Sequence, residues 1–229
     1  MAKNRRNQDE KDEEILIDVV EAKESTQDFI EKNKNWILIA LLALVVIVGG
    51  YFFYKYVFMG PKEKQASAAI YKAEVQFARD SFALALENPG GGFEGFLDII
   101  DNYTGTKTAN MAKYYAGISY LNLGRYEDAI SYLSDFSPSG SVSPIMKFGA
   151  LGDSYAENNN MDAALSNYQK ATNAPSNDFL TPYYLQKLGM LNQKLGNNEA
   201  ALKAFSRIKE EFAGSQQGGN IDRFIAQLQ

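Results

Sequence analysis

The sequence predicts an all-α protein, one transmembrane helix followed by an α-solenoid of helical hairpins, and three observations predict it. A skeleton of Gly, Ala twelve residues later and an aromatic or Leu four beyond recurs as Gly117/Ala129/Leu133, Gly152/Ala164/Tyr168 and Gly189/Ala201/Phe205. Its period, 35 and then 37 residues, is that of stacked helical hairpins, each too small to bury its own apolar face. Residues 36–58 form an apolar run interrupted by Lys55 alone. Between run and repeats, Ala66, Ile70, Ala73, Phe77, Phe82 and Leu84 recur near the helical period.

Composition narrows the function classes. Of 229 residues, 45% are hydrophobic, enough for a packed core, and 23 basic against 28 acidic residues give a net charge of -5. A nucleic-acid surface calls for clustered positive charge, so that partner class is not expected. Cys and His are both absent. This removes disulfides, thiolate nucleophiles, imidazole bases and His or Cys metal ligands, so any catalysis would have to run on carboxylates, Lys, Tyr or Ser. No catalytic, cofactor-binding or metal site is expected.

The elements follow in chain order. Residues 1–35 read as a charged cytoplasmic tail carrying Lys3, Arg5, Arg6, Lys11, Lys23, Lys32 and Lys34. Within it, Ile15-Leu16-Ile17 and Val19-Val20 make a small apolar island, read either as part of a disordered tail or as a short helix docking on a membrane partner. Ser25 and Asp28 form a capping-box pattern that leads into Phe29 and Ile30.

Residues 36–58 read as the transmembrane segment. A helix of that length spans roughly 34 Å, enough for a hydrocarbon core of about 30 Å. Trp36 marks one interface and Tyr51, Tyr54 and Tyr56 the other, while Lys55 can snorkel. A mostly charged stretch precedes the run and no small-x-small cleavage pattern follows it closely, so an uncleaved signal anchor is expected. Lys55, Lys62 and Lys64 nearly balance the local basic count on the tail side. The richer tail, and the ease with which long C-terminal domains translocate, favour a cytoplasmic N-terminus and a repeat domain outside.

Gly60-Pro61 is expected to end this helix, and residues 59–108 to form a hairpin. Its first helix would start near Lys62 and stop at Asn88-Pro89, and its second would run from Phe93 to Tyr103 with Phe96, Leu97, Ile99 and Ile100 inward. Gly90 to Gly95 formally matches the dinucleotide fingerprint G-x-G-x-x-G, but that motif works between a strand and a helix, and here a helix precedes it. Asn102-Tyr103-Thr104 is a formal glycosylation acceptor of low specificity.

Residues 109–219 then hold three repeat units, and 220–229 a capping helix with Ile221, Phe224, Ile225 and Leu228 at helical spacing. The middle unit has Phe148, Leu151-Gly152, Tyr155, Ala164, Tyr168 and Ala171. The first has Ala116-Gly117, Tyr120, Gly124, Tyr126, Ala129 and Leu133, and the third Leu188-Gly189, Gly196, Ala201 and Phe205. This pattern resembles the tetratricopeptide repeat, although Lys113 stands at the large-residue position of the first unit and Asn192 where Tyr is usual. The layout of tail, span, hairpin and repeats further resembles the YfgM-type ancillary subunit of the bacterial Sec translocon. That resemblance implies an inner-membrane protein with a periplasmic repeat domain. Its implied partners are the translocon, membrane-anchored periplasmic chaperones or translocating polypeptide.

In such repeats the first helix of each unit lines a groove. The register places there Met111, Tyr114, Ile118 and Leu121 from the first unit, Met146 and Asp153 from the second, and Tyr183, Gln186, Met190 and Gln193 from the third. Met and Tyr give adaptable contacts suited to extended or partly unfolded polypeptide. The same residues could instead pack against the 93–103 helix. The carboxylate clamp of some tetratricopeptide domains needs Lys and Asn where Tyr114 and Ile118 stand, so an acidic chaperone tail is not the expected ligand. The leading function is therefore a membrane-anchored interaction scaffold, accessory to Sec translocation or periplasmic chaperoning. Alternatives are a cytoplasm-facing docking adaptor, a cell-envelope assembly factor, or an enzyme or cell-wall-binding protein using carboxylates such as Asp98 and Asp101, which read more simply as a solvated helix face.

Overall fold

A computed structural model describes residues 29–228. The apolar island at 15–20 and the Ser25/Asp28 pattern lie outside the described residues. The chain divides into two compact units, Met1–Phe58 and Met59–Gln229. Among the described residues every regular element is helical.

In the first unit, α1 (described from residue 29 to residue 53) is apolar throughout its middle, and the chain then enters a π-helical turn, Tyr54–Met59. By length and composition the stretch Phe29–Phe77 is one helix long and apolar enough to cross a membrane. None of its most apolar window is buried, whereas a core helix of the same composition would be covered. The expected stop at Gly60-Pro61 is corrected: Pro61 lies in the first turn of α2 (Gly60–Ala69) and helical structure continues. Pro61 cannot donate to the carbonyl four residues back, and the widened π turn falls at that place.

In the second unit, α2 is followed after one residue by α3 (Tyr71–Phe77), and then by α4 (Phe82–Glu87) and α5 (Phe96–Asn102). The single helix expected up to Asn88 is thus broken at 78–81. Asp80 adopts a positive φ of 56°, the Ser81 N–H donates to the Gln76 carbonyl at 2.9 Å, and the Asp80 N–H to Phe77 at 3.0 Å. This is a left-handed C-terminal closure that satisfies the last carbonyls of a helix. α5 starts at Phe96 rather than Phe93, because Gly90, Gly91 and Gly92 all take positive φ and Asp98 caps the helix by accepting the Gly95 N–H at 3.3 Å. That bond gives Asp98 a structural task. The Gly90–Gly95 run lies between two helices, outside the context a dinucleotide site requires.

Three larger hairpins follow: α6 (Lys107–Asn122) with α7 (Tyr126–Asp135), α8 (Ser143–Glu157) with α9 (Met161–Asn173), and α10 (Leu180–Lys194) with α11 (Asn198–Glu211). Each turns through the same closure, at Gly124 (φ 74°), Asn159 (φ 58°) and Gly196 (φ 79°). In each, the next N–H donates five residues back: Arg125 to Tyr120, Asn160 to Tyr155 and Asn197 to Asn192, at 2.9, 2.8 and 2.9 Å. Asp80 therefore marks a fourth hairpin of the same design, α3/α4. Ala73 and Ala85, twelve residues apart and fully buried, stand in its Gly and Ala places.

The repeated Gly has a steric cause. A Cβ at Gly117 would overlap Leu133, at Gly152 the Tyr168 ring, and at Gly189 the Phe205 ring. Each hairpin thus closes by laying the residue sixteen positions on against bare backbone. Successive cores join along the chain, from Phe96 and Ile99 through Leu133 and Leu151 to Tyr168 and Phe205. The last apolar face is covered by α12 (Ile221–Ala226), where Ile221 is buried and Phe224, Ile225 and Leu228 pack beside it. α2 is fixed to the start of α6 by Glu63, whose carboxylate accepts the Lys107 N–H, the Thr108 N–H at 3.2 Å and the Thr108 hydroxyl at 2.7 Å.

Candidate partner-binding face

The first helices α6, α8 and α10 neighbour one another and carry the ten residues projected from the sequence. Met111, Tyr183 and Met190 are exposed, while Tyr114, Ile118, Leu121, Met146, Asp153, Gln186 and Gln193 are half-buried. Three of them are engaged in packing. Tyr114 and Ile118 pack beside Leu133 and Leu151, and Leu121 packs on the cluster that contains Phe96 and Ile99. Leu121 thus answers to the reading in which these positions pack toward α5.

The centre of the face is Asp153 on α8. Its Oδ1 accepts the Tyr168 hydroxyl at 2.7 Å and the Lys187 ammonium at 2.7 Å, so one oxygen ties α8 to α9 and α10. The Lys187 ammonium also lies 4.9 Å from the centre of the Tyr183 ring. Tyr184 stacks with Tyr168 at 6.2 Å and meets Tyr183 edge-on at 5.0 Å. This approach needs Gly149, because a Cβ there would overlap the Tyr184 ring.

Burial sets the protonation of the cluster. It pushes the Tyr114 phenol up to about 12, with Tyr115 and Asp153 adding to the effect. Burial, and next the Asp153 charge, raise Tyr168 and Tyr184 well above the ordinary tyrosine value. These phenols stay neutral, and that of Tyr168 donates to Asp153. Burial alone would lower Lys187, but attraction to Asp153 and hydrogen bonds to Asp153 and Tyr183 outweigh it, and the net shift is upward. Lys187 is therefore a fixed cation.

The projection brings Tyr114, Asp153 and Tyr183 together and leaves Met111 and Met190 as open apolar points. It missed Tyr168, Tyr184, Lys187 and Gly149. Tyr168 read as framework, since its ring fills the hairpin, yet its hydroxyl reaches the face. Lys187, one turn beyond Tyr183, was the legible signal for a charge beside Asp153.

Tetratricopeptide-repeat models match residues 111–137, 148–178 and 183–215. The chain contains tetratricopeptide repeats. No curated protein and no solved structure matches it. The matched segments fall on the hairpins α6/α7, α8/α9 and α10/α11, and the α3/α4 hairpin precedes them. Tetratricopeptide repeats imply protein partners, and no catalytic family is found along the chain.

Proposed function

We propose that this protein is a membrane-anchored scaffold whose tetratricopeptide face, centred on Asp153 and Lys187, holds an extended segment of a partner polypeptide. The observation that carries the reading is the Tyr and Met surface around one ion pair whose carboxylate oxygen also accepts the Tyr168 hydroxyl. Neutral phenols and adaptable thioethers beside a fixed charge offer both apolar contact and backbone hydrogen bonding. The narrower reading places the repeat domain in the periplasm, with the N-terminus cytoplasmic, as an accessory to Sec translocation or periplasmic chaperoning. Its support is the order of span and repeats and the resemblance that this layout carries.

A photoactivatable residue at Met190, 48% exposed, tests the face in cells. Crosslinks to polypeptide from position 190, and none from exposed Glu210 on α11, are the expected result. Equal crosslinking from both would sink the assignment of this face. Protease added outside spheroplasts should digest the repeat domain, whereas protection would place it in the cytoplasm and end the translocation reading.

A further inference from the structure

At the far end of the last repeat the chain forms a cleft of about 810 Å³, lined by Asp178, Phe179, Tyr183, Glu211, Phe212 and the segment 214–217. Phe179 is 83% exposed, yet it is held in place. Asn177 Oδ1 accepts the backbone N–H groups of Phe179 and Leu180 at 3.0 and 2.9 Å, and the Asn177 N–H donates to the Thr181 hydroxyl at 2.9 Å. A large aromatic ring is thus displayed on rigid backbone, and it makes no ring or cation contact among the described residues.

The charged residues that line the cleft are acidic, with Arg207 and Lys187 behind its wall against Glu211 and the Tyr183 ring. Asp178 and Glu211 line it and no basic residue does. Asp178 makes no ion pair among the described residues, and Glu211 is paired only with Arg207, at 3.0 Å. Gln216 and Gln217 add side-chain amides that can bond a peptide backbone.

We propose that this cleft docks a partner polypeptide segment in which an arginine or lysine stands beside a large apolar side chain. The cation meets Asp178 and the face of Phe179, where carboxylate and ring attraction act together, while the apolar neighbour enters between Tyr183 and Phe212. Charge complementarity selects this occupant. A second copy of the chain would bring its own Asp178 and Glu211 against the same pair, and an anionic lipid surface would be repelled. The site goes beyond the face centred on Asp153 and shares only Tyr183 with it.

The test uses the full chain in detergent and fluorescent nine-residue peptides of Gly and Ser with a central Arg-Trp, Glu-Trp or Arg-Gly pair. Anisotropy should show binding of the Arg-Trp peptide, weakened at least tenfold for either control, tenfold by Phe179→Ala and severalfold by Asp178→Asn. Met190→Ala should leave it unchanged, which separates this cleft from the α6, α8 and α10 face. Both cleft substitutions lie at exposed positions, so the fold is retained. Binding of Glu-Trp as tight as Arg-Trp, no binding at all, or indifference to Phe179→Ala would each overturn the proposal. So would a dimer abolished by Phe179→Ala, which would make a second copy the occupant.

Discussion

Asp153 shows how one side chain can tie three helices together. With a fifth of its side chain exposed, it accepts both Tyr168 and Lys187 on a single oxygen. Asp153→Ala leaves a half-buried ammonium and a phenol without their acceptor. It should cost about 2 kcal/mol in denaturant unfolding, with Asp153→Asn losing less because an acceptor remains. The buried phenols add a pH signature. Their folded values lie above the ordinary 10.0, so folding holds protons that the unfolded chain releases. Stability from these groups is complete below about pH 10 and falls as pH rises toward the folded values, at about 1.4 kcal/mol per pH unit for each phenol. Alkaline titration followed at the tyrosinate absorbance should show part of the tyrosines ionising only as helicity is lost. Tyr168→Phe should flatten that slope.

At the scale of the element, the same turn is made by Gly, Asn and Asp. Gly124 and Gly196 supply positive φ without a Cβ, while Asn159 and Asp80 pay a small strain for the same closure. Gly196→Ala should destabilise by about 1 kcal/mol, since its Cβ would meet open space and only the backbone strain counts. Gly152→Ala should be worse, by about 2–3 kcal/mol in thermal or urea unfolding, because its Cβ overlaps the buried Tyr168 ring. Both kinds of position were visible in the sequence where the residue was Gly. The fourth hairpin was missed because Ala73 replaces Gly and Asp80 replaces the turn glycine, so the period of 35 to 37 residues lost its marker there. The helix expected through 78–81 has apolar spacing on both sides of the break, and spacing alone cannot report a one-residue left-handed closure. The start of α5 slipped for a similar reason, since three glycines in a row leave the exit of the loop to Asp98.

For the whole molecule, the fold class followed from period and hydropathy, because both are sums over many residues that single departures such as Lys113 or Asn192 do not erase. Asn192 is buried and satisfied, donating to the Leu188 carbonyl at 2.9 Å. The site was less legible, since its parts come from three helices. Register predicts which residues share a face but not which side chains from behind, such as Tyr168, reach through to it. The division at Phe58 and Met59 implies that residues 59–229 contain their own core. Expressed without the preceding residues, they should be soluble without detergent and unfold cooperatively by circular dichroism. Aggregation of that fragment with loss of helicity would show that its stability depends on the first unit.

The shared oxygen of Asp153 also sets how the repeats come apart. In a solenoid joined only by apolar contact, a terminal hairpin can fray while its neighbour stays intact. Here, lifting α10 away takes Lys187 from Asp153, and the same carboxylate then confronts Tyr168 and water without its cation. The second and third tetratricopeptide hairpins are thereby coupled. Opening one removes part of the stability of the other, so a partner seated on either would favour the closed state of both.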